Sequence, residues 1–343
     1  MSATDDFATI LRRAIEGAVL TPAEAETAFA AIVDGSVSPG RLAAFLVALR
    51  MRGETAGEIA AFARAMRSRA VAVPTRRGSL LDTCGTGGDG AGTFNVSTVA
   101  ALVAAGAGAS VAKHGNRSVS GRCGSADLLE GLGVRADVDA ETAGRMLDET
   151  GFGFLYAPRL HPSMKHAAAV RQDLGFRTVF NLLGPLANPA GAAFQLLGVY
   201  DPRWVVPVAE VLAELGSSRA LVVHGGGLDE IALHAETRAA EVCDGKVRTM
   251  VLSPEDAGLP RAPLEAIQGG ERSGHVARAL GVLRGEPGPH RDMTLLNAGA
   301  ALWVVGAAAD LAAGARLAAR AVDGGAALGV LERLRALCPA QES

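Results

Sequence analysis

The hydrophobic pattern of this chain changes period once, near Pro74, and that change limits what the chain can fold into. Before it, every segment reads as helix. Phe7, Ile10, Leu11, Ala14 and Ile15 fall at the i, i+3, i+4 spacing of one helical face. Thr21-Pro22-Ala23-Glu24 spells a capping box with proline at the first helical position, and Gly35 stops the helix that follows. Ser38-Pro39 opens a third helix running to Gly53, and Thr55 with Glu58 caps a fourth that ends before Pro74. Four capped helices predict a small bundle whose outer apolar faces pack either on the main body or on a second copy.

After Pro74, short apolar strands alternate with helices. Residues 79–82, 110–112, 152–156 and 220–224 read as strands, with an apolar helix from about Ser97 and another capped by Ser125. This alternation predicts an α/β fold: a small all-helical domain plus a larger α/β domain with a mostly parallel central sheet, covered on both faces. Ligands of such sheets bind at the carboxyl ends of the strands. The informative loops, residues 83–95, 113–124 and 225–230, all fall there.

Composition narrows the function classes. A length of 343 residues allows roughly two domains. The net charge of −3 argues against a general nucleic-acid binder. Four scattered cysteines without a CxxC pair exclude a zinc ribbon and suit a reducing compartment. The N-terminus lacks an apolar signal core, and the most apolar stretches fall short of the ~20 residues that span a membrane. A cytoplasmic protein with no membrane partner is expected.

Gly85-Thr86-Gly87-Gly88-Asp89-Gly90 matches G-x-G-x-x-G, but its context is wrong for a dinucleotide fold. Gly92-Thr93-Phe94 prolong the loop, and Lys113 stands near the place of the ribose-binding acid. What remains is a run of backbone N–H groups leading into Asn95-Val96-Ser97-Thr98, a polar helix start suited to phosphate or pyrophosphate. A second loop, Lys113-His114-Gly115-Asn116-Arg117-Ser118-Val119-Ser120-Gly121, offers two cations, an imidazole, an amide and two hydroxyls to an anionic, hydroxylated ligand. Asp229-Glu230 follows three glycines, and adjacent carboxylates at a strand end suit Mg²⁺ shared with substrate phosphate. Arg171, on a helix after His161-Pro162-Ser163-Met164-Lys165-His166, could pair bidentately with a substrate carboxylate. Cys84 and Cys123 flank the site and read as small packing residues.

Together the segments DTCGTGGDGAGTFNVST, KHGNRSVSGRCGSADLLEGLG, HPSMKHAAAVRQDLGFRTVFNLLGPLANP and GGLDEI resemble the anthranilate phosphoribosyltransferase family over nearly the whole chain. The resemblance implies a helical domain at residues 1–73, completed by helices near 163–190, beside an α/β domain at 74–343 of nucleoside phosphorylase-like type. It implies homodimerisation through the helical domain, Mg²⁺ dependence, and transfer of phosphoribose from 5-phosphoribosyl diphosphate to anthranilate in tryptophan biosynthesis. It assigns Gly85, Gly88, Asp89, Thr93, Asn95, Val96, Ser97, Thr98, the loop from Lys113 to Gly121, and Ser125 to the diphosphate sugar. Ser97, Asp229 and Glu230 become magnesium positions, and Gly85, Asn116 and Arg171 anthranilate contacts. Two stretches depart from the family pattern. Ala167-Ala168-Ala169 lacks the usual proline before the valine, and GGERSGHVARALGVL lacks the usual Glu-Asn-Ala. Two readings on related architecture compete, a pyrimidine-nucleoside phosphorylase and a nucleic-acid-binding relative. The Asp229-Glu230 pair and the KHGN loop argue against the first; Asn116, Arg171 and the acidic charge balance argue against the second.

Overall fold

The computed structural model describes residues 3–118 and 123–340. Four helices come first: α1 (Ala3–Ile15), α2 (Pro22–Val33), α3 (Pro39–Arg52) and α4 (Ala56–Arg67). Both capping boxes form, with Thr21 and Thr55 each accepting a backbone hydrogen bond from its glutamate at 3.3 Å. Glu58 also accepts from the Leu20 amide at 2.9 Å and from Arg52 at 2.6 Å, so one buried carboxylate ties α3, α4 and the turn before α2 together. Phe7, Ile10 and Ala14 are buried as their spacing predicts, but Ile15 is 62% exposed, because α1 ends there and Gly17 turns the chain with φ +83°.

A seven-stranded sheet follows, made of β1 (Leu80–Gly85), β2 (Ser110–Gly115), β3 (Phe152–Tyr156), β4 (Phe194–Gly198), β5 (Arg219–Gly225), β6 (Thr237–Cys243) and β7 (Lys246–Leu252). The spatial order is β3-β2-β1-β4-β5-β6-β7, parallel through β5 and antiparallel for the last two. The connecting helices are α5 (Val96–Gly106), α6 (Ser125–Gly131), α7 (Ala140–Thr150), α8 (Ala157–Leu160), α9 (Lys165–Leu174), α10 (Phe180–Leu186) and α11 (Val205–Glu214). The chain closes with α12 (Arg272–Leu283), α13 (Pro289–Val304), α14 (Leu311–Asp323) and α15 (Ala326–Leu337).

Alternation along the strands divides the interior into two cores. Leu196, Leu221 and Val223 face the helices of the α/β body, whereas Leu197, Val199 and Val222 join a core that runs through α11 into the four-helix bundle. Ala167, Val170, Phe180 and Leu183 of α9 and α10 bury in that second core, and the Phe29 and Phe180 rings lie 5.7 Å apart.

The structure corrects several expectations. β1 and β2 each run three residues further than hydrophobicity predicts, because Asp82, Thr83, Lys113 and His114 are buried polar residues that satisfy one another or nearby backbone. β4 was not expected, nor was the β6–β7 hairpin, whose Asp244-Gly245 turn takes φ +50° and +69°, as a two-residue hairpin turn requires. Ser125 is the first residue of α6 rather than its cap. Gly124 caps it, and Asp127 accepts from the Gly124 and Ser118 amides at 2.9 and 3.0 Å. Among the described residues, no helix is long and apolar enough to cross a membrane.

Candidate active site

Strand order reverses at β1, whose neighbours β2 and β4 are reached in opposite directions; this is where open parallel sheets leave a crevice. Four parallel strands, β1, β2, β4 and β5, end in glycine. Gly85 and Gly198 are register partners, and Gly225 closes β5. The turn after β5 folds back over these ends. A Cβ on Gly198 would lie 1.6 Å from the Asp229 carbonyl oxygen, one on Gly85 2.2 Å from Asp229 Oδ2, and one on Gly225 2.5 Å from the Glu230 carbonyl oxygen. The missing side chains therefore make the space that Asp229 and Glu230 occupy. Gly198 escaped the sequence reading because its strand, FQLLG, escaped it.

Both acids turn inward. Asp229 Oδ2 accepts from the Gly87 amide at 2.6 Å, and Glu230 lies by the Ser97 amide at the positive end of α5, which favours its charged form. Burial, then the charge of Asp89, pushes the Asp229 carboxyl up to about 7; burial, then Asp229, pushes Glu230 upward too. Carboxylates crowded in this way favour a counter-cation. Among the described residues, no group of three or more His, Cys, Asp or Glu side chains encloses a metal unaided. Two carboxylates and the Ser97 hydroxyl are hard oxygen donors of the kind Mg²⁺ shares with water and phosphate.

The glycine loop crosses in front of this pair. Gly87, Gly88, Gly90 and Gly92 all have φ between +68° and +76°, a path that residues with side chains rarely follow. The segment around Gln268, unread in the sequence, holds the far side of the loop. Phe94 N donates to Ile267 O at 3.0 Å, Gly269 N to Gly92 O at 2.9 Å, and Gln268 Nε2 to Ala91 O at 3.0 Å. Asp89 accepts from the Ala91 amide at 3.1 Å, and Thr93 bridges Gln268. Asn95 caps α5 by accepting from Thr98 N at 3.3 Å and donates to Cys123 O at 3.2 Å. Val96 is a core residue, so only its backbone faces the loop; the Thr98 hydroxyl is buried without a partner among the described residues.

The second loop differs from its sequence reading in two cations. Lys113 is not a loop residue facing ligand: it lies in β2, is 1% exposed, and donates to the Thr83 carbonyl and, at 3.1 Å, to Ser97 Oγ. It supports the site from beneath, where its charge faces Asp82, Asp229 and Glu230. Nor is Arg117 free: its guanidinium pairs with Glu130 at 2.7 Å and Asp127 at 3.3 Å. His114 is buried, its Nδ1 3.0 Å from Gly184 O, and burial followed by neighbouring His161 takes it down to about 3. It serves as a neutral ring joining β2 to α10. Asp82, missed because a lone acid in an apolar strand gives no pattern, accepts from the His114 amide at 3.1 Å and Asn188 Nδ2 at 2.8 Å. Gly115 packs against Phe154 and Ser125, and Asn116 is exposed with its Oδ1 on the Arg117 amide at 2.7 Å. Ser118 is tied to Asp127; Val119, Ser120 and Gly121 lie outside the described residues.

Arg171 is half-buried on α9, its guanidinium 5.2 Å from the Phe180 ring centroid, and among the described residues it has no ion-pair partner. Six residues on, Arg177 stacks on Tyr200 at 3.8 Å, with Nη2 3.1 Å from where a Gly88 Cβ would stand. Burial raises the Cys84 thiol well above its ordinary range and takes Cys123 up to about 11, which leaves neither as a thiolate nucleophile.

Comparison with known proteins agrees with this arrangement. Residues 8–70 match the helical bundle domain of the glycosyl transferase family, and residues 77–328 match its a/b domain. The chain is 53% identical over 327 residues to the anthranilate phosphoribosyltransferase of Symbiobacterium thermophilum, covering 95% of this chain and 96% of the relative. The crystal structure of the Thermus thermophilus anthranilate phosphoribosyltransferase superposes with a TM-score of 0.91 at 50% identity, over 96% of this chain and 98% of the other. The Saccharomyces cerevisiae enzyme, in complex with PRPP and Mg, superposes with a TM-score of 0.87 at 28% identity, over 96% and 97% of the two chains. With likeness of this extent across both the helical bundle and the sheet, the chain belongs to the anthranilate phosphoribosyltransferase family.

Proposed function

We propose that this chain transfers phosphoribose from 5-phosphoribosyl diphosphate to the amine of anthranilate, giving N-(5-phosphoribosyl)anthranilate and diphosphate in tryptophan biosynthesis. The observation that carries this reading is the Asp229-Glu230 turn folded over Gly85 and Gly198, beside a glycine loop of phosphate-binding form. In the reaction the anomeric C–O bond breaks toward diphosphate, the amine nitrogen bonds to that carbon, and its proton leaves to solvent. Negative charge grows on the departing diphosphate. Loop amides around Gly88 and Gly90 and the N-terminus of α5 stabilise it by fixed dipoles. Asp229 and Glu230, with Ser97, would hold Mg²⁺, which would supply further positive charge to the phosphate oxygens.

The amine of anthranilate is neutral at pH 7, so no strong base is needed; Asn116 and Arg171 orient the acceptor. We assign Asp89, Thr93, Asn95, Thr98, His114, Gly115, Ser118, Ser125 and the loop through Gly121 to the donor side. Lys113 and Arg117 act there through the groups they hold, Lys113 through Ser97 and Arg117 through Glu130.

We assign residues 1–73, with the helices near 163–190, to one helical unit; the core they share supports this. Exposed Ile15, Val19 and Met51 on its surface support homodimerisation there. The four free cysteines suit the cytoplasm.

The test is loss of anthranilate fluorescence on addition of 5-phosphoribosyl diphosphate and Mg²⁺. The wild type should consume anthranilate only with both, and Asp229→Asn with Glu230→Gln should fold normally but lose turnover at limiting Mg²⁺. Consumption independent of the donor would overturn the assignment.

A further inference from the structure

Arg177 lies in the turn between α9 and α10, inside a motif whose chemistry Arg171 alone does not exhaust. It is held by one face: its guanidinium carbon sits 3.8 Å from the Tyr200 ring centroid, a close cation–π stack. That platform is anchored to the glycine loop itself. The Tyr200 amide donates to Thr86 Oγ1 at 3.0 Å, the Thr86 amide to Gly198 O at 2.9 Å, and the Trp204 indole to the Tyr200 hydroxyl at 3.0 Å. Nη2 meanwhile reaches the inner side of the loop, 3.1 Å from the Cβ position of Gly88. Among the described residues, no carboxylate pairs with Arg177, whereas Arg117, Arg159 and Arg203 each have one. Stacking fixes the plane of a guanidinium while leaving its N–H fork unused, which is the preparation a bidentate phosphate contact needs.

We infer that Arg177 is a donor-contacting residue that receives the diphosphate of the phosphoribosyl donor across Gly88 and stabilises it as it departs. This division gives the two arginines of one helical hairpin separate partners, Arg171 the acceptor and Arg177 the leaving group. It rests on the reaction proposed above. It also assigns a purpose to Gly88 beyond its φ of +72°: a Cβ there would stand 3.1 Å from Nη2 and press on the Arg177 fork.

Calorimetric titration of the full-length protein with inorganic diphosphate and Mg²⁺ separates the possibilities, alongside steady-state kinetics in both substrates. Arg177→Gln should weaken diphosphate binding and raise the donor KM by about ten- to a hundredfold, the size of a lost charge-assisted contact. The anthranilate KM should stay within about twofold. Arg177→Lys should recover only part of the loss, because a point charge cannot reproduce the fork. Tyr200→Leu should lose affinity in the same direction and Tyr200→Phe should not, because the ring face is what positions the guanidinium. Wild-type diphosphate affinity in Arg177→Gln, or a raised anthranilate KM with donor binding intact, would overturn the inference while leaving the reaction standing. Absence of diphosphate binding by the wild type would instead bring down the reaction on which the inference rests.

Discussion

Replacing Gly198 with alanine tests whether the strand-end glycines position the acid pair, because Gly198 lies in β4 and offers a ligand no side chain. The added Cβ would stand 1.6 Å from the Asp229 carbonyl oxygen and 2.3 Å from its carbonyl carbon. Real Cβ contacts do not fall below 3.0 Å, so the turn must retreat by at least 1.4 Å. Both clashing atoms are backbone, and a rotamer change cannot relieve them. The retreat would break the 2.6 Å bond from Gly87 N to Asp229 Oδ2 and draw Glu230 away from the head of α5. Overpacking of this kind costs about 1–3 kcal/mol, and a displacement of about 1 Å in a positioning group costs about a hundredfold in rate.

Thermal unfolding should therefore show a modestly lowered Tm, while kcat falls about a hundredfold and half-saturation by Mg²⁺ rises. Gly57→Ala in the first turn of α4, where a Cβ meets nothing within 4 Å, is the control and should leave activity unchanged. A Gly198→Ala enzyme with normal turnover and normal Mg²⁺ dependence would refute the argument that these glycines set the acid pair.

Lys113→Met should lower Tm by the loss of about 1–3 kcal/mol for the buried Thr83 carbonyl it strands; unchanged stability by chemical denaturation would contradict its supporting role. Arg171→Ala should raise the anthranilate KM about ten- to a hundredfold with diphosphate affinity unmoved, and aniline, which has no carboxylate, should lose little further in the variant. Acidity should act on stability through opposed groups. His114 and His161, held at about 3 and about 4 against 6.5 unfolded, bind protons first in the unfolded chain, so their contribution is lost as pH drops below about 6.5. The two rings remove up to about 2.7 kcal/mol per pH unit, whereas Asp82, raised to about 6, Asp229, raised to about 7, and Glu230, also raised, are protonated first in the folded state and oppose that loss. Measured against the wild type, His161→Asn should gain denaturant midpoint between pH 7 and 5 as that ring's share is removed, and an unaltered pH dependence would count against the buried neutral pair.

Local rules alone account for the helical bundle and the loop chemistry. Proline, threonine and glutamate at capping spacing mark α2 and α4 because a helix start needs its orphan amides satisfied within one turn, so the signal is contained in four residues. The glycine loop and the Asp229-Glu230 pair could be located for a similar reason, since a glycine run and adjacent acids stand out within a few residues, although their roles needed the other motifs beside them. What the sequence concealed depends on partners far along the chain. Asp82 and Lys113 look like strand ends facing solvent until Asn188, Thr83 and Ser97 are brought to them. Arg117 looks free until Glu130 arrives from α6. Gly198 looks like an ordinary strand end until Asp229, 31 residues later, needs its missing side chain. Periodicity records which residues leave water, a property of each segment by itself. Which buried charges meet, and which glycines give way to a neighbour's backbone, is decided only when strands β1, β4 and β5 are set side by side.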